Sequence, residues 1–260
     1  MNCKNCNSSI ESKQHFCANC GAKIITEKIT IAGIFDQVNE EFLNLDNKLL
    51  RTFKVLSLSP EKVVVSYIEG LRKRYVNIIS YLAISLTLLG FQFFLIKRFF
   101  GDQLTSTAGT TGNPQIDEFA LKLNDIVSDY IGPITVIFIP IMALATFFVF
   151  SKKIKFNYAE HIIINTYTTA HYNIIMVLIF LALLPFGINI NYSFGVITLI
   201  TYLYLGYSFK RIFKVGYLEA LARTILSLII YSLFTGFLIV LAGFIFGVAY
   251  VLINKDTLNI

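Results

Sequence analysis

The residues best equipped for chemistry are the four cysteines, arranged as Cys3-Lys-Asn-Cys6 and Cys17-Ala-Asn-Cys20. Each CxxC turn hooks two thiolates onto one metal, and two hooks complete a tetrahedral zinc site. The residue after each hook should tolerate a left-handed backbone; Gly21 suits that position, and Asn7 is the best non-glycine substitute. A redox pair is the other reading of a single CxxC, but two hooks within twenty residues favour zinc, and His15 is not needed as a ligand. No cysteine follows Cys20. Metal ligation in a reducing compartment therefore fits better than a disulfide framework. Residues 1–24 are expected to be a zinc ribbon, a module that binds proteins, nucleic acids or nothing.

A second constellation is Glu160, His161 and His171. On one straight helix, the two histidines lie ten residues apart, about 15 Å along the axis, and so cannot share an ion. No serine elbow, Walker loop or dinucleotide fingerprint occurs, so the residues compel no catalytic role. Asn165, Thr169, Tyr172 and Asn173 form a polar stripe on the same helix, joined by Gln92 and by tyrosines elsewhere. Interhelical hydrogen bonding explains such a stripe. A transport route is the alternative, weakened by the lack of central charge, inverted repeats and paired broken helices.

Charged residues beside the apolar runs make a third group: Arg51, Glu69, Arg72, Arg74, Glu160, His161, Lys210 and Arg211. The expected topology brings them to one cytoplasmic rim, where they can pair with each other or with lipid phosphates. Arg72 would suit either a carboxylate, such as Glu160, or a phosphate, because its planar fork donates two hydrogen bonds at once. The competing reading gives these charges only a topological role.

The elements that position these groups are membrane helices. Hydrophobic residues make up 55% of the chain and charged residues 15%, too apolar for an ordinary soluble domain. Apolar runs near 76–96, 131–150, 162–184, 192–209 and 224–253 can each cross the roughly 30 Å hydrocarbon core. The fold expected is an all-α integral membrane protein with about five transmembrane helices, residues 76–253, plus the zinc ribbon and amphipathic juxtamembrane helices over 29–75. Basic clusters at Arg72–Arg74, Lys152–Lys155 and Lys210–Arg223 fall on one side, which places the N-terminus in the cytoplasm and the C-terminus outside. The net charge of +6 thus reads as a topology and headgroup signal, not as nucleic-acid binding. Loop 97–130 is external, with a flexible Gly101–Gly112 stretch and then an acidic helix; Lys97 and Arg98 snorkel to headgroups. Pro140 should kink the second span. Gly236, Gly243 and Gly247 form a small-residue stripe expected to pack within the bundle, with a homodimer as its other use.

Within 29–75, helical periodicity gives three apolar faces: Ile31 to Leu45; Leu49, Leu50, Phe53 and Leu56, capped by Asp46; and Val64, Tyr67, Ile68 and Leu71, capped by Ser59 and ended by Gly70. The pattern Arg51, Thr52, Pro60, Tyr67, Gly70, Arg72, Tyr75 and Asn77 resembles a family of bacterial zinc-ribbon-headed membrane proteins, common in Bacteroidetes, with a domain of unknown function. Ile78 stands where that family has proline, and Glu160-His161 fits the family as well. The resemblance implies a multi-pass protein of a bacterial inner membrane, with zinc as its metal and no assigned activity. The residues thus favour a non-enzymatic scaffold or adaptor, embedded in the bilayer, whose cytoplasmic zinc ribbon contacts a protein partner. A small-molecule or lipid transporter is the alternative, and a membrane-embedded enzyme the lesser one.

Overall fold

A computed structural model describes residues 2–11, 14–21, 24, 48–108, 113–151, 156–186 and 190–253. The helix expected over Ile31–Leu45, its neighbour's Asp46 cap, and Lys152, Lys153 and Lys155 lie outside these residues. The chain divides into two units, Met1–Asp46 and Asn47–Ile260.

The described residues of the first unit hold no named strand, only an isolated antiparallel bridge between Asn2 and Ser9. Cys3, Ile10 and Cys17 are its buried centre, with Cys6 and Ile24 packed beside them.

The second unit is helical. A helix over 48–58 (α1) is followed by α2, Pro60–Ile68; α3, Ile78–Ala108; α4, Pro114–Asp129; α5, Ile131–Phe150; α6, Tyr158–Leu183; α7, Ile190–Phe213; and α8, Tyr217–Ile253. Among the described residues, four segments are long and apolar enough to cross a membrane: Ile78–Phe100, Ile131–Phe150, Tyr158–Leu183 and Tyr217–Leu241. The α7 helix covers the expected fourth span but is not among them; Tyr192, Tyr202, Tyr204 and Tyr207 make it more polar.

Side-chain clusters give the bundle two levels. At one level the starts of α3 and α6 meet the ends of α5 and α7 through Tyr81, Ile164, Tyr167, Phe150, Phe209 and Phe213. At the other, Ile96, Phe180 and Ile197 join the far ends of α3 and α6 to the start of α7. Helices α3 and α6 therefore run parallel, and α7 runs back between the same two levels.

Local signals explain the boundaries. Asn157 and Glu160 form a capping box at the start of α6: Glu160 N–H donates to Asn157 Oδ1 at 2.9 Å, and Asn157 N–H donates to Glu160 Oε2 at 2.7 Å. Those bonds satisfy amides that have no partner within the first turn. Pro60 opens α2, where a missing N–H costs nothing, and Ser59 makes no side-chain cap bond. Gly70 ends that helix at φ +94°, and Leu71 N–H returns to Ser66 O at 2.8 Å. A left-handed residue is what such a termination requires.

Several expectations are corrected. The Gly101–Gly112 stretch is helical as far as Ala108, continuing α3 beyond a non-helical Phe100 (φ −131°, ψ 18°). An established helix gains a backbone bond with each residue it adds, which favours continuation. Leu50 and Leu71 are exposed, unlike their partners Phe53, Leu56, Val64 and Tyr67. Lys97 is held by α4, with Nζ 2.7 Å from Asp129 and 3.4 Å from Asp125, where headgroup snorkelling was expected. Among the described residues, a side chain built on Gly236 or Gly243 would meet no atom within 4 Å. Around them Leu233, Phe237, Ile239, Val240 and Phe244 are exposed, so that part of α8 lies free of the bundle.

Candidate metal centre and membrane-embedded polar network

The two cysteine hooks have the same backbone construction. Asn7 N–H donates to Cys3 O at 2.9 Å and Gly21 N–H to Cys17 O at 2.8 Å; Asn7 has φ +56° and Gly21 φ +72°. The left-handed residue expected after each hook is present. All four Sγ atoms lie within 4.8 Å of one another, with Cys3–Cys20 and Cys6–Cys17 each at 3.6 Å. Thiolates at about 2.3 Å from a tetrahedral ion are roughly 3.8 Å apart, so the cage is of metal size. The Ser8 hydroxyl beside Cys17, 3.2 Å away, and the backbone N–H groups of Cys20 and Asn19 pull the Cys17 thiol down to about 6. Ser8, 3.0 Å from Cys6 Sγ, also lowers the Cys6 thiol. Both effects favour the thiolate form that ligates metals.

In the second unit, both histidines of α6 are fully buried and each has its own site. His171 Nδ1 lies 2.7 Å from Tyr81 Oη on α3, and its Nε2 lies 3.1 Å from Ser57 Oγ on α1. Ser57 already donates to Phe53 O at 2.9 Å. Its oxygen must then accept from Nε2–H, and Nδ1 accepts from Tyr81. Protonated in that way, the imidazole has no lone pair for Ser57, so the trio clamps three helices and does not activate a nucleophile. His161 Nδ1 meets Thr146 Oγ1 at 3.1 Å, among the rings of Phe147, Phe156 and Phe213; its Nε2 has no hydrogen-bond partner among the described residues.

The expected rim residues separate into local pairs. Glu160 is used in the capping box. Arg72 lies over the Tyr67 ring, Arg74 over Tyr75 and Lys210 over Tyr217. Arg211 makes the two-pronged carboxylate contact expected of Arg72, and its partner is Glu61. Arg51 and Glu69 are exposed, whereas His161 is buried inside the bundle.

The polar stripe divides too. Asn165, Thr169 and Tyr172 line a partly open cavity of about 370 Å³ bordered by α5, α6, α7 and α8. Asn173 and Gln92 do not line it; Asn173 Nδ2 and Gln92 Oε1 are buried without hydrogen-bond partners among the described residues. Sequence reasoning missed Ser57, Glu61, Tyr81 and Thr146, since no local pattern announces a partner on another helix, 15 to 150 residues away. The cavity's Thr198, Thr201 and Tyr231 were missed as well; the threonines were legible only as part of a tyrosine-rich span.

Residues around the collar explain one motif closely. Thr52 accepts from Val76 N–H at 3.0 Å, Tyr167 Oη donates to Val76 O at 2.9 Å, and Asn77 Oδ1 accepts from Ile79 N–H at 2.9 Å as α3 begins. Residues 46–90, which hold this collar and most of the first span, match a family described as protein of unknown function (DUF3667). No curated protein and no solved structure matches the chain.

Proposed function

We propose that the protein is a non-enzymatic membrane scaffold or adaptor: a zinc-loaded head that recruits a cytoplasmic protein, carried on a bundle of five crossings in a bacterial inner membrane. The observation that carries this reading is the cysteine cage. Its spacing suits a tetrahedral ion, all four ligands are thiolates, and soft sulfur ligands in that number are a structural zinc set with no open coordination position for catalysis. The fifth crossing is α7, which joins the two levels of the bundle although its tyrosines make it more polar than the rest. The basic clusters at Arg72–Arg74 and at Lys210–Arg223 adjoin α1 and α2, a level that the positive-inside rule assigns to the cytoplasm.

The head's own residues do the recruiting. With the hooks pinned, exposed Phe16 and the polar residues of the turns present a fixed surface, whereas twenty-odd residues without a metal cannot bury enough to hold one shape. Crosslinking in native membranes tests the reading, comparing full-length protein with Cys17→Ser. Loss of a co-purifying soluble protein, with the membrane part unchanged, is the expected result. The same crosslinked set from both would sink the adaptor role.

The cavity favours a second reading, transport of a small uncharged molecule. Protein-dependent flux in liposomes would place that reading first.

A further inference from the structure

The cavity within the bundle has a chemistry that the adaptor role does not use. Helices α5 and α6, α6 and α7, α7 and α8, and α8 and α5 pack in turn, closing a ring around it. Its polar lining includes Asn165, Thr169, Tyr172, Thr198, Tyr202 and Tyr231, with no carboxylate, ammonium or guanidinium among the lining residues. The rest is apolar, including Phe138, Met142, Met176 and Leu205.

The hydrogen bonds within the walls decide what is left for a ligand. Asn165 is almost fully buried, and its Nδ2 donates to both Thr146 Oγ1 and His161 O, each at 2.8 Å. The His161 carbonyl can only accept, so the orientation of the amide is fixed and both its N–H groups are used. Its oxygen is the free end. Thr135 and Thr201 likewise spend their protons on Ile131 O and Ile197 O of their own helices, and keep only lone pairs. Tyr202 and Tyr231 contribute phenolic hydroxyls with no hydrogen-bond partner among the described residues. The cavity therefore offers several acceptors and a few hydroxyl donors, at a depth where an unmatched polar group costs several kcal/mol. An ion would find no opposite charge to offset its desolvation. A hydroxyl group, which both donates and accepts, matches the lining, and the apolar wall suits a hydrocarbon chain.

We propose that this cavity binds the uncharged, hydroxyl-bearing head of a small amphiphile, of the monoacylglycerol or fatty-alcohol class. Its volume is within the range of small-molecule sites. Binding here is independent of whether the head recruits a protein.

The chain contains no tryptophan, so Met176→Trp or Phe138→Trp places a sole indole in the cavity wall. Full-length protein in phosphatidylcholine nanodiscs is titrated with chain-brominated monooleoylglycerol. Saturable quenching is expected beyond that given by brominated phosphatidylcholine at the same mole fraction, and brominated oleate should fail to reproduce it. The shape-preserving Tyr202→Phe, Tyr231→Phe pair removes two hydroxyls and should weaken the saturable phase about tenfold. Quenching by oleate equal to that by monooleoylglycerol would overturn the proposal, as would indifference to the tyrosine changes. Competition by glycerol alone at similar concentration would assign the site to a water-borne polyol and overturn the amphiphile. If neither tryptophan reporter shows a saturable phase, the cavity holds water only.

Discussion

Arg211 at the end of α7 grips Glu61 in the first turn of α2 through two bonds, Nε to Oε2 at 3.1 Å and Nη2 to Oε1 at 2.6 Å. The pair fastens the collar to the bundle across 150 residues of chain. Partial burial pushes the Glu61 carboxyl up, but the Arg211 hydrogen bond and charge outweigh it and leave the group below its ordinary value. A depressed folded-state value means that the pair's stabilisation is complete above the ordinary carboxylate range. It is lost as pH falls through the lower, folded value. Arg211→Lys keeps the charge and loses the fork, so it should cost about 0.5–1 kcal/mol for a pair this accessible to solvent. Thermal unfolding in nanodiscs at neutral pH and below pH about 4 checks both points: wild type and Glu61→Gln should converge in acid. An equal gap at the two pH values would mean the carboxylate charge contributes nothing.

Thr52 and Tyr167 together satisfy both backbone groups of Val76. The peptide sits where the collar turns into the membrane, and Thr52 and Val76 are both buried. Thr52→Val conserves shape but leaves an N–H without an acceptor, which should cost about 1–3 kcal/mol. Thr52→Ser should recover most of it. Equal destabilisation by both changes would show that the methyl group, not the hydroxyl, is what matters.

Local rules wrote the parts of this fold that the sequence made legible. Apolar runs long enough for lipid located the helices, and the two CxxC hooks with Asn7 and Gly21 located the cage. Pro60, Gly70 and the start of α6 were readable because a cap or stop depends on a few consecutive residues. The partners were not readable in the same way. Arg211 chose Glu61 over any carboxylate nearer its own level in the sequence, and Glu160 was taken by its own helix end before Arg72 could use it. His171 and Asn165 gained their roles from Ser57, Tyr81 and Thr146, which reach them only once the helices pack. The cavity is a property of four helices at once, so a stripe on α6 alone looked like packing glue.

Gly243 has open space where a side chain would project. Gly243→Leu should therefore leave the unfolding temperature of the monomer unchanged within error, since a surface substitution away from contacts changes stability by less than about 0.5 kcal/mol. Detergent titration of unfolding measures this directly. A large loss at every protein concentration would mean that α8 folds back onto the bundle after all.

The cysteine cage predicts one zinc per chain. Metal analysis of protein purified without chelator should find it, and Cys17→Ser should remove it, because three thiolates bind far less tightly than four. Chelation should then unfold the head and expose all four thiols to alkylation at similar rates, whereas the zinc-loaded head should resist it. Zinc absent from the wild type would contradict the cage itself.

The proposed five crossings rest on the two levels of the bundle. Tyr81, Ile164 and Phe209 meet at one level, and Ile96, Phe180 and Ile197 at the other, so α7 traverses the same thickness as α3 and α6. At 24 residues it is about 36 Å long, enough for the hydrocarbon core. Its tyrosines are affordable there because Tyr204 donates to Leu56 O at 3.3 Å and Tyr207 to Leu58 O at 2.6 Å. Those two bonds also satisfy carbonyls at the end of α1, which has no further turn to use them. Reporter fusions after Gly112 and after Ile260 should consequently lie on the same side of the membrane, and a fusion at residue 47 on the other. If the Ile260 fusion reports from the side of residue 47, either α7 lies outside the bilayer or α8 fails to cross, and five crossings become four. Tyr204→Phe with Tyr207→Phe separates those two outcomes: the pair should lower stability while leaving the Ile260 fusion in place only if α7 is a true crossing held by the collar.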